Sequence, residues 1–178
     1  MKKSSLCSFA IIVLLTFACK DKILLKSQEA DVMSKSKIDA LKKTTKTYLT
    51  ASNMHDTLLQ HTITTKNFVR IINGEVISYN QSELSNSMRF WLRAMPDFKI
   101  IEKEITVAEN KTYVIWLGSG TNTEMFGNRP PTGKIGHTEG MSILTFDSDG
   151  HITQETTYFD RLRLLEEWGY EMSPPIMN

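Results

Sequence analysis

Residues 118–160 read GSGTNTEMFGNRPPTGKIGHTEGMSILTFDSDGHITQETTYFD. The pattern is typical of a strand end, a loop rich in glycine and proline, a second strand over residues 136–146, a tight turn, and a third strand over residues 151–159. In both later strands, apolar residues occupy odd-numbered as well as even-numbered positions, which face opposite sides of a sheet. This indicates that both faces of the sheet are covered. We expect helices to cover one face and a second subunit to cover the other.

The residues before this stretch supply the helices and further strands. Apolar spacing predicts a helix over residues 36–53 and a clearer one over residues 81–95, where Asn80 begins a capping box. Two hairpins are predicted, one around the turn dipeptide Asn73-Gly74 and a longer one over residues 98–119. This order predicts an α+β fold, in which N-terminal helices close the concave face of a curved antiparallel sheet.

The first residues have the outline of a secretion signal. Two lysines, Lys2 and Lys3, precede an uncharged and largely apolar run over residues 6–18. This run is shorter than the roughly 20 residues that a transmembrane helix needs. Residues 15–19, LTFAC, resemble a bacterial lipoprotein signal, in which cleavage takes place before an acylated cysteine. The alternative is an ordinary signal peptide that is cut after Ala18.

Cysteine usage favours the lipoprotein interpretation. Cys7 leaves with the signal, so Cys19 would be alone in the mature chain, without a disulfide partner. We therefore expect an exported protein that a lipid on Cys19 holds on the periplasmic or cell-surface side of a bacterial membrane. The predicted organisation is a signal peptide (1–18), a lipidated cysteine and tether (19–37), one domain (38–172) and a tail (173–178).

The charge composition does not suggest a nucleic-acid partner. The chain has 21 lysine and arginine residues against 20 aspartate and glutamate residues, a formal net charge of +1, whereas nucleic-acid-binding domains are usually strongly basic. No spacing of histidine, cysteine and carboxylate residues matches a metal site. The turn that holds Asp147 and Asp149 is too short for a calcium loop. We expect no bound metal ion.

Several short motifs are similar to those of one known family. They are residues 95–98 (MPDF), 127–133 (GNRPPTG), 146–150 (FDSDG), 160–165 (DRLRLL) and 168–169 (WG). Together they resemble the SnoaL-like polyketide cyclase, or ester cyclase, family of the nuclear-transport-factor-two-like superfamily over residues 38–170. The resemblance implies a cone-shaped α+β barrel with a small-molecule ligand, without metal or cofactor. The loop at 127–133 would form a lip over the mouth of the cone.

The resemblance also implies a catalytic residue. In that family an aspartate at the end of the last strand acts as general acid and base in an intramolecular aldol closure, and by motif this residue is Asp160. Such chemistry needs a carboxylate whose pKa is raised by an apolar enclosure. An aspartate directly before a helix is also a common N-cap, so Asp160 has a second interpretation, which is compatible with the first.

Strand alternation predicts a wall beside Asp160. Counting back in twos from Asp160 places Tyr158, Thr156 and Gln154 on the same face. The strand departs from the family here, because members often read Glu-His-Trp where this chain has QET at residues 154–156. The pocket would be wider and more polar, which argues against the familiar polyketide substrate.

Four more residues complete the predicted substrate-binding set. His137 and Glu139 share a face of the preceding strand, where they contact the ligand or assist Asp160; the alternative is a water-exposed rim pair. Trp91 lies on the apolar stripe of its helix, which favours a core position but also permits contact with a ligand. Trp116 is placed on a strand of the longer hairpin.

The predicted function follows from these residues. We expect the chain to bind a small organic molecule that is apolar or contains a carbonyl, and to perform cyclase, isomerase or dehydratase chemistry through Asp160. The alternative is a lipoprotein that binds a ligand or a partner protein without chemistry. The expected assembly is a homodimer.

Overall fold

The computed structural model describes residues 33–171 and residue 173. The predicted signal, Cys19 and most of the predicted tether lie outside the described residues, as does most of the tail. The chain divides into a short unit, Met1–Lys37, and a domain, Ile38–Asn178. Within the described part of the chain, no helix is both long and apolar enough to cross a membrane.

The described residues form helices first and then a sheet with a short final helix. In chain order the elements are α1 (Lys35–Met54), α2 (Thr57–Ile63), β1 (Thr64–Ile72), β2 (Glu75–Ser78), α3 (Gln81–Ala94), β3 (Lys99–Ala108), β4 (Lys111–Thr121), β5 (Ile135–Phe146), β6 (Ile152–Phe159) and α4 (Arg161–Glu167).

All six strands belong to one curved sheet in the order β2-β1-β6-β5-β4-β3. The sheet is open because β2 and β3, at its two ends, do not pair with each other. The predicted α+β class is confirmed. Neighbouring strands are antiparallel, as predicted, except that β1 and β6 run parallel. A short turn makes β6 antiparallel to β5, and β6 then inserts beside a strand from the start of the domain.

Short-range sequence signals fold as predicted. Asn73 and Gly74 have positive φ angles of 49° and 87°, which a two-residue type I′ hairpin turn requires. The Asn80 side chain accepts the N–H of Glu83 at 2.9 Å, and the Glu83 carboxylate accepts the N–H of Tyr79 at 2.8 Å. These bonds satisfy N–H groups at the start of α3 and fix the position of that helix against the sheet.

The helices pack on the inner face of the sheet, the face that carries the core. One buried cluster joins the end of α3 to α4 through Ala94, Met95, Phe126, Leu164 and Trp168. A second cluster joins α1 to β4 through Leu49, Val114 and Trp116. The Trp116 ring lies against Gly140 of β5, where a side chain would collide with it. This close approach brings Trp116 Nε1 within 3.1 Å of the Ser142 hydroxyl.

Candidate functional site

A cavity lies between α1, α3 and the inner face of the sheet. It offers about 80 Å³ to the centres of water molecules, and one water needs only about 10–15 Å³. Most of its lining is apolar: Leu49, Ile72, Met88, Trp91, Leu92, Met95, Phe98, Ile100, Trp116, Phe159 and Leu164. Its polar lining consists of Tyr48, Ser52, Arg70, Thr138, Ser142, Glu155 and Thr157. An apolar enclosure with a few convergent polar groups is typical of small-molecule sites.

A glutamate is the centre of the polar part of the lining. Glu155 is 4% exposed, and its carboxylate contacts three side chains. Tyr48 Oη donates to Oε2 at 2.8 Å, and Arg70 Nε lies 2.9 Å from the same oxygen. Ser142 Oγ donates to Oε1 at 3.1 Å. We call these four residues the Glu155 cluster.

Each member of the Glu155 cluster comes from a different element. Tyr48 belongs to the buried side of α1, Arg70 to β1, Ser142 to β5 and Glu155 to β6. Arg70 and Glu155 are register partners in the parallel pair β1–β6, so their side chains project from the same face. The cluster was not predicted from the sequence. The alternation of Glu155, Thr157 and Phe159 on β6 is the pattern that would have indicated their inward positions.

The electrostatics of the cluster favour a neutral tyrosine beside an ion pair. Burial raises the pKa of Tyr48 well above its ordinary value, and the Glu155 carboxylate acts in the same direction. Burial alone would lower the pKa of Arg70, but the interactions with Glu155 and Tyr48 together outweigh it, and the net shift of the Arg70 pKa is upward. Arg70 is therefore a cation at neutral pH. Its Nε–H is not aligned with the carboxylate as a hydrogen bond, so the contact is an ion pair.

The Glu155 cluster offers hydrogen-bond donors to an acceptor oxygen of a ligand. A guanidinium carries five N–H donors, and Arg70 is 18% exposed at its side chain and lines the cavity. Its remaining donors can therefore bind an acceptor oxygen of a ligand.

The predicted wall of Gln154, Thr156 and Tyr158 is wrong, because none of the three lines the cavity. Gln154 Nε2 donates to Thr156 Oγ1 at 3.0 Å, and Tyr158 is 48% exposed. The residues of β6 that face the cavity are instead Glu155, Thr157 and Phe159. The physical reason is that Asp160, from which the alternation was counted, does not face the cavity: it is exposed, like Tyr158, and its side chain caps α4.

Asp160 is exposed and caps α4. Its Oδ1 accepts the N–H of Arg163 at 2.9 Å, as an N-cap side chain does. Its backbone carbonyl accepts a hydrogen bond from Thr138 Oγ1 at 3.0 Å. Asp160 does not line the cavity, so its placement contradicts the predicted catalyst in an apolar enclosure and agrees with the capping alternative.

The other predicted residues divide into two groups. His137 and Glu139 are exposed on β5 and do not line the cavity, as in the alternative of a water-exposed pair. His137 Nδ1 lies 2.8 Å from Glu167 Oε2, and this hydrogen bond lowers the pKa of Glu167. Trp91 and Trp116 do line the cavity.

One group of potential metal ligands occurs in the described residues. The ligand atoms of Asp147, Asp149 and His151 lie within 4.8 Å of one another in the turn between β5 and β6. Asp147 Oδ1 accepts the N–H of Asp149 at 3.0 Å and that of His151 at 2.8 Å. Through these bonds Asp147 stabilises the turn, as aspartate commonly does.

The sequence model of the SnoaL-like polyketide cyclase family matches residues 42–168, more than half of the chain. No curated protein matches the chain.

Three solved structures share the fold. A proposed SnoaL-like polyketide cyclase from Jannaschia sp. CCS1 has a TM-score of 0.68 at 15% identity, with 77% of this chain and 94% of that chain covered. AclR, a proposed hydroxylase from Streptomyces galilaeus, has a TM-score of 0.66 at 20% identity, with 76% and 89% covered. A protein of ketosteroid isomerase-like fold from Catenulispora acidiphila, in complex with trimethylamine, has a TM-score of 0.62 at 10% identity, with 74% and 97% covered. At these identities the likeness shows the fold alone.

Proposed function

Because this chain belongs to the SnoaL-like polyketide cyclase family, we propose that it binds a small organic molecule in the cavity between α1, α3 and the sheet. The observation that carries the proposal is the composition of the lining, which is apolar apart from one group of convergent polar side chains centred on Glu155. The Catenulispora relative of the same fold is itself in complex with a small organic molecule, trimethylamine.

The lining also indicates how the ligand lies. The rings of Trp91 and Trp116 flank Phe159, with ring centroids 5.9 Å and 6.1 Å from it. An apolar body is favoured beside these rings because it loses contact with water there. A carbonyl, ester or carboxylate oxygen is favoured beside Arg70, which supplies charge-assisted donors. The ligand is therefore an apolar molecule with at least one acceptor oxygen.

A cavity-filling variant tests this proposal. The neutral fluorescent probe N-phenyl-1-naphthylamine reports binding to an apolar site through increased emission. Leu92→Trp places a larger side chain in the cavity lining and should weaken probe binding about tenfold. Leu162→Trp is the matched control, because Leu162 is 43% exposed and should leave binding unchanged. Equal probe affinity in the two variants would contradict the proposal.

A second candidate function is proton transfer of the cyclase or isomerase kind, with Glu155 in place of Asp160 as the base. The observation that favours it is that Glu155 is a buried carboxylate in the lining. Glu155 would take a proton from the carbon beside a ligand carbonyl, and the carbonyl oxygen would carry the enolate charge beside Arg70. Glu155 would then return the proton to the rearranged ligand. Glu155→Gln should abolish such turnover, whereas Asp160→Asn should not.

Export and lipid anchoring through Cys19 are part of the proposal. The support is the sequence of residues 1–19, with its basic start, apolar run and cysteine. The full chain, expressed in a bacterial host, should partition into the detergent phase of a Triton X-114 extract, and Cys19→Ser should partition into water. If the unchanged chain also stays in water, an ordinary signal peptide is the better interpretation.

We also propose that two copies of the chain pair through the outer face of the sheet, the face opposite the helices. Ile115, Met141 and Tyr158 lie side by side there as register partners on β4, β5 and β6. They are 48%, 39% and 48% exposed. A row of exposed apolar side chains across three strands supports an interface, because its burial is favourable.

A further inference from the structure

We infer that a groove outside the cavity holds an anionic group of the ligand, and that Arg161 recognises this anion. The groove offers about 450 Å³ to the centres of water molecules, several times the volume of the cavity. Ile72 and Trp91 line both spaces. A ligand too long for the cavity therefore has an adjacent place for its other end. The inference rests on the proposed function, since it assumes that the cavity holds the first end.

One side of the groove is aromatic. The Trp91 and Phe126 ring centroids lie 5.0 Å apart, and Phe90 lies 5.2 Å from Phe126 and 6.1 Å from Trp91. Phe90 is 46% exposed although it is a large apolar residue. The three rings form a surface on which a flat apolar body can pack. Gly127, the first residue of the loop at 127–133 that the sequence predicts as a lip, lines the groove together with Phe126.

The groove also contains two arginines. Arg129 and Arg161 line it, and within residues 33–171 neither approaches a carboxylate to within the 4.0 Å of an ion pair. The Nε of Arg161 is buried and has no hydrogen-bond partner. A buried donor without an acceptor is unfavourable. Arg161 lines the groove and its guanidinium carries five N–H donors, so an oxyanion of a ligand can accept from those that face the groove. Arg129 instead lies over the Tyr170 ring, 6.0 Å from its centroid, so Arg161 is the better candidate.

The acidic residues of the groove do not remove this preference. Glu83 lines the groove, but its two oxygens accept from Tyr79 N and Asn80 Nδ2 at the start of α3. Glu75 lines the groove without an ion pair in the described structure, but it is exposed, so water and salt screen its charge. The groove therefore suits an organic acid, with a carboxylate against Arg161 and an apolar, preferably aromatic, body along the three rings.

Two related probes separate this inference from the proposed function. N-phenyl-1-naphthylamine is neutral, and 8-anilinonaphthalene-1-sulfonate has the same ring system with a sulfonate that stands in for a carboxylate. The unchanged protein should bind the sulfonate about tenfold more tightly than the neutral probe, as expected for one charge-assisted hydrogen bond. The difference in affinity between the sulfonate and the neutral probe should shrink as the salt concentration rises.

Two arginine variants identify the residue that recognises the anion. Arg161→Gln should weaken sulfonate binding about tenfold and leave the neutral probe unchanged. Arg163→Gln is the matched control, because it removes the same charge from the same helix but from a side chain that pairs with Glu167 and does not line the groove. It should leave both probes unchanged. Arg161→Lys keeps the charge without the fork of donors and should give an intermediate loss.

The outcomes are distinct. The inference is overturned if Arg161→Gln weakens sulfonate binding no more than Arg163→Gln does, or has no effect on it. The cavity proposal is then still judged by the Leu92→Trp result. Loss of neutral-probe binding in Arg161→Gln also overturns it, since the arginine would then have a structural role. Failure of both probes to bind the unchanged protein overturns the inference and the proposed function together.

Discussion

At the scale of single residues, the Glu155 cluster has a structural role beside the binding role that we propose for it. Glu155 is 4% exposed, and its carboxylate joins α1, β1 and β5 through Tyr48, Arg70 and Ser142. A buried ion pair contributes little net stability compared with apolar packing, but it is costly to break because the remaining charge is left without a partner. The cluster therefore positions the Arg70 guanidinium in an otherwise apolar cavity, where it can bind an acceptor oxygen of a ligand.

Removing the charge of Glu155 should destabilise the domain strongly. Glu155→Gln leaves the largely buried Arg70 cation beside a neutral side chain, and we expect the free energy of unfolding to fall by about 3–5 kcal/mol in urea titrations. Glu167→Gln is a control at an exposed pair, with side chains 63% and 30% exposed, and should cost at most about 1 kcal/mol. A double variant with Arg70→Met should recover part of the loss. A loss in Glu155→Gln no larger than in the control would contradict the ion-pair interpretation.

The pair formed by His137 and Glu167 predicts a small pH dependence. Hydrogen bonds from His137 lower the pKa of Glu167 in the folded chain. The corresponding stability is present above the pKa of the unfolded glutamate and is lost as the pH falls through the lower folded value. His137→Ala should raise the pKa of Glu167 toward its ordinary value, as NMR titration of the side-chain carboxyl carbon would show. An unchanged titration curve would mean that the two side chains do not interact in solution.

At the scale of elements, Asp160 is a helix cap. Asp160→Ala should lower the free energy of unfolding by about 1 kcal/mol, because the N–H of Arg163 loses its acceptor. Asp160→Asn keeps an acceptor and should be close to neutral. Both variants should bind N-phenyl-1-naphthylamine like the unchanged protein, because Asp160 does not line the cavity. A binding defect in Asp160→Asn, with stability unchanged, would restore a functional role for this residue.

The elements show how far sequence reasoning reaches in this chain. The hairpin turn at Asn73-Gly74 and the cap at Asn80 were predicted correctly because each depends on contacts between neighbouring residues. The inward face of β6 was predicted wrongly because the alternation was counted from Asp160 on the assumption that it faces the cavity, whereas Asp160 is exposed and caps α4. The Glu155 cluster was missed because Arg70 meets Glu155 through a parallel pairing of two strands far apart in sequence, which local patterns do not specify.

At the scale of the whole molecule, the outer face of the sheet predicts a dimer. Met141 lies between its register partners Ile115 and Tyr158, at the centre of the exposed apolar row. Met141→Lys should convert a dimer into monomers in sedimentation velocity experiments, since a lysine there would be buried without a partner. Leu58→Lys is the control, because Leu58 is 76% exposed on α2. A monomeric unchanged protein would contradict the prediction.

The central claim, that the cavity holds a small organic molecule, is tested most directly by NMR of the tryptophan indole N–H groups. The chain has three tryptophans; Trp91 and Trp116 line the cavity, whereas Trp168 is fully buried against Gly120, whose carbonyl accepts its N–H at 3.1 Å. Saturation with N-phenyl-1-naphthylamine should shift the Trp91 and Trp116 signals through the ring currents of the bound probe and leave Trp168 in place. A saturating titration that moves neither Trp91 nor Trp116 would contradict the claim.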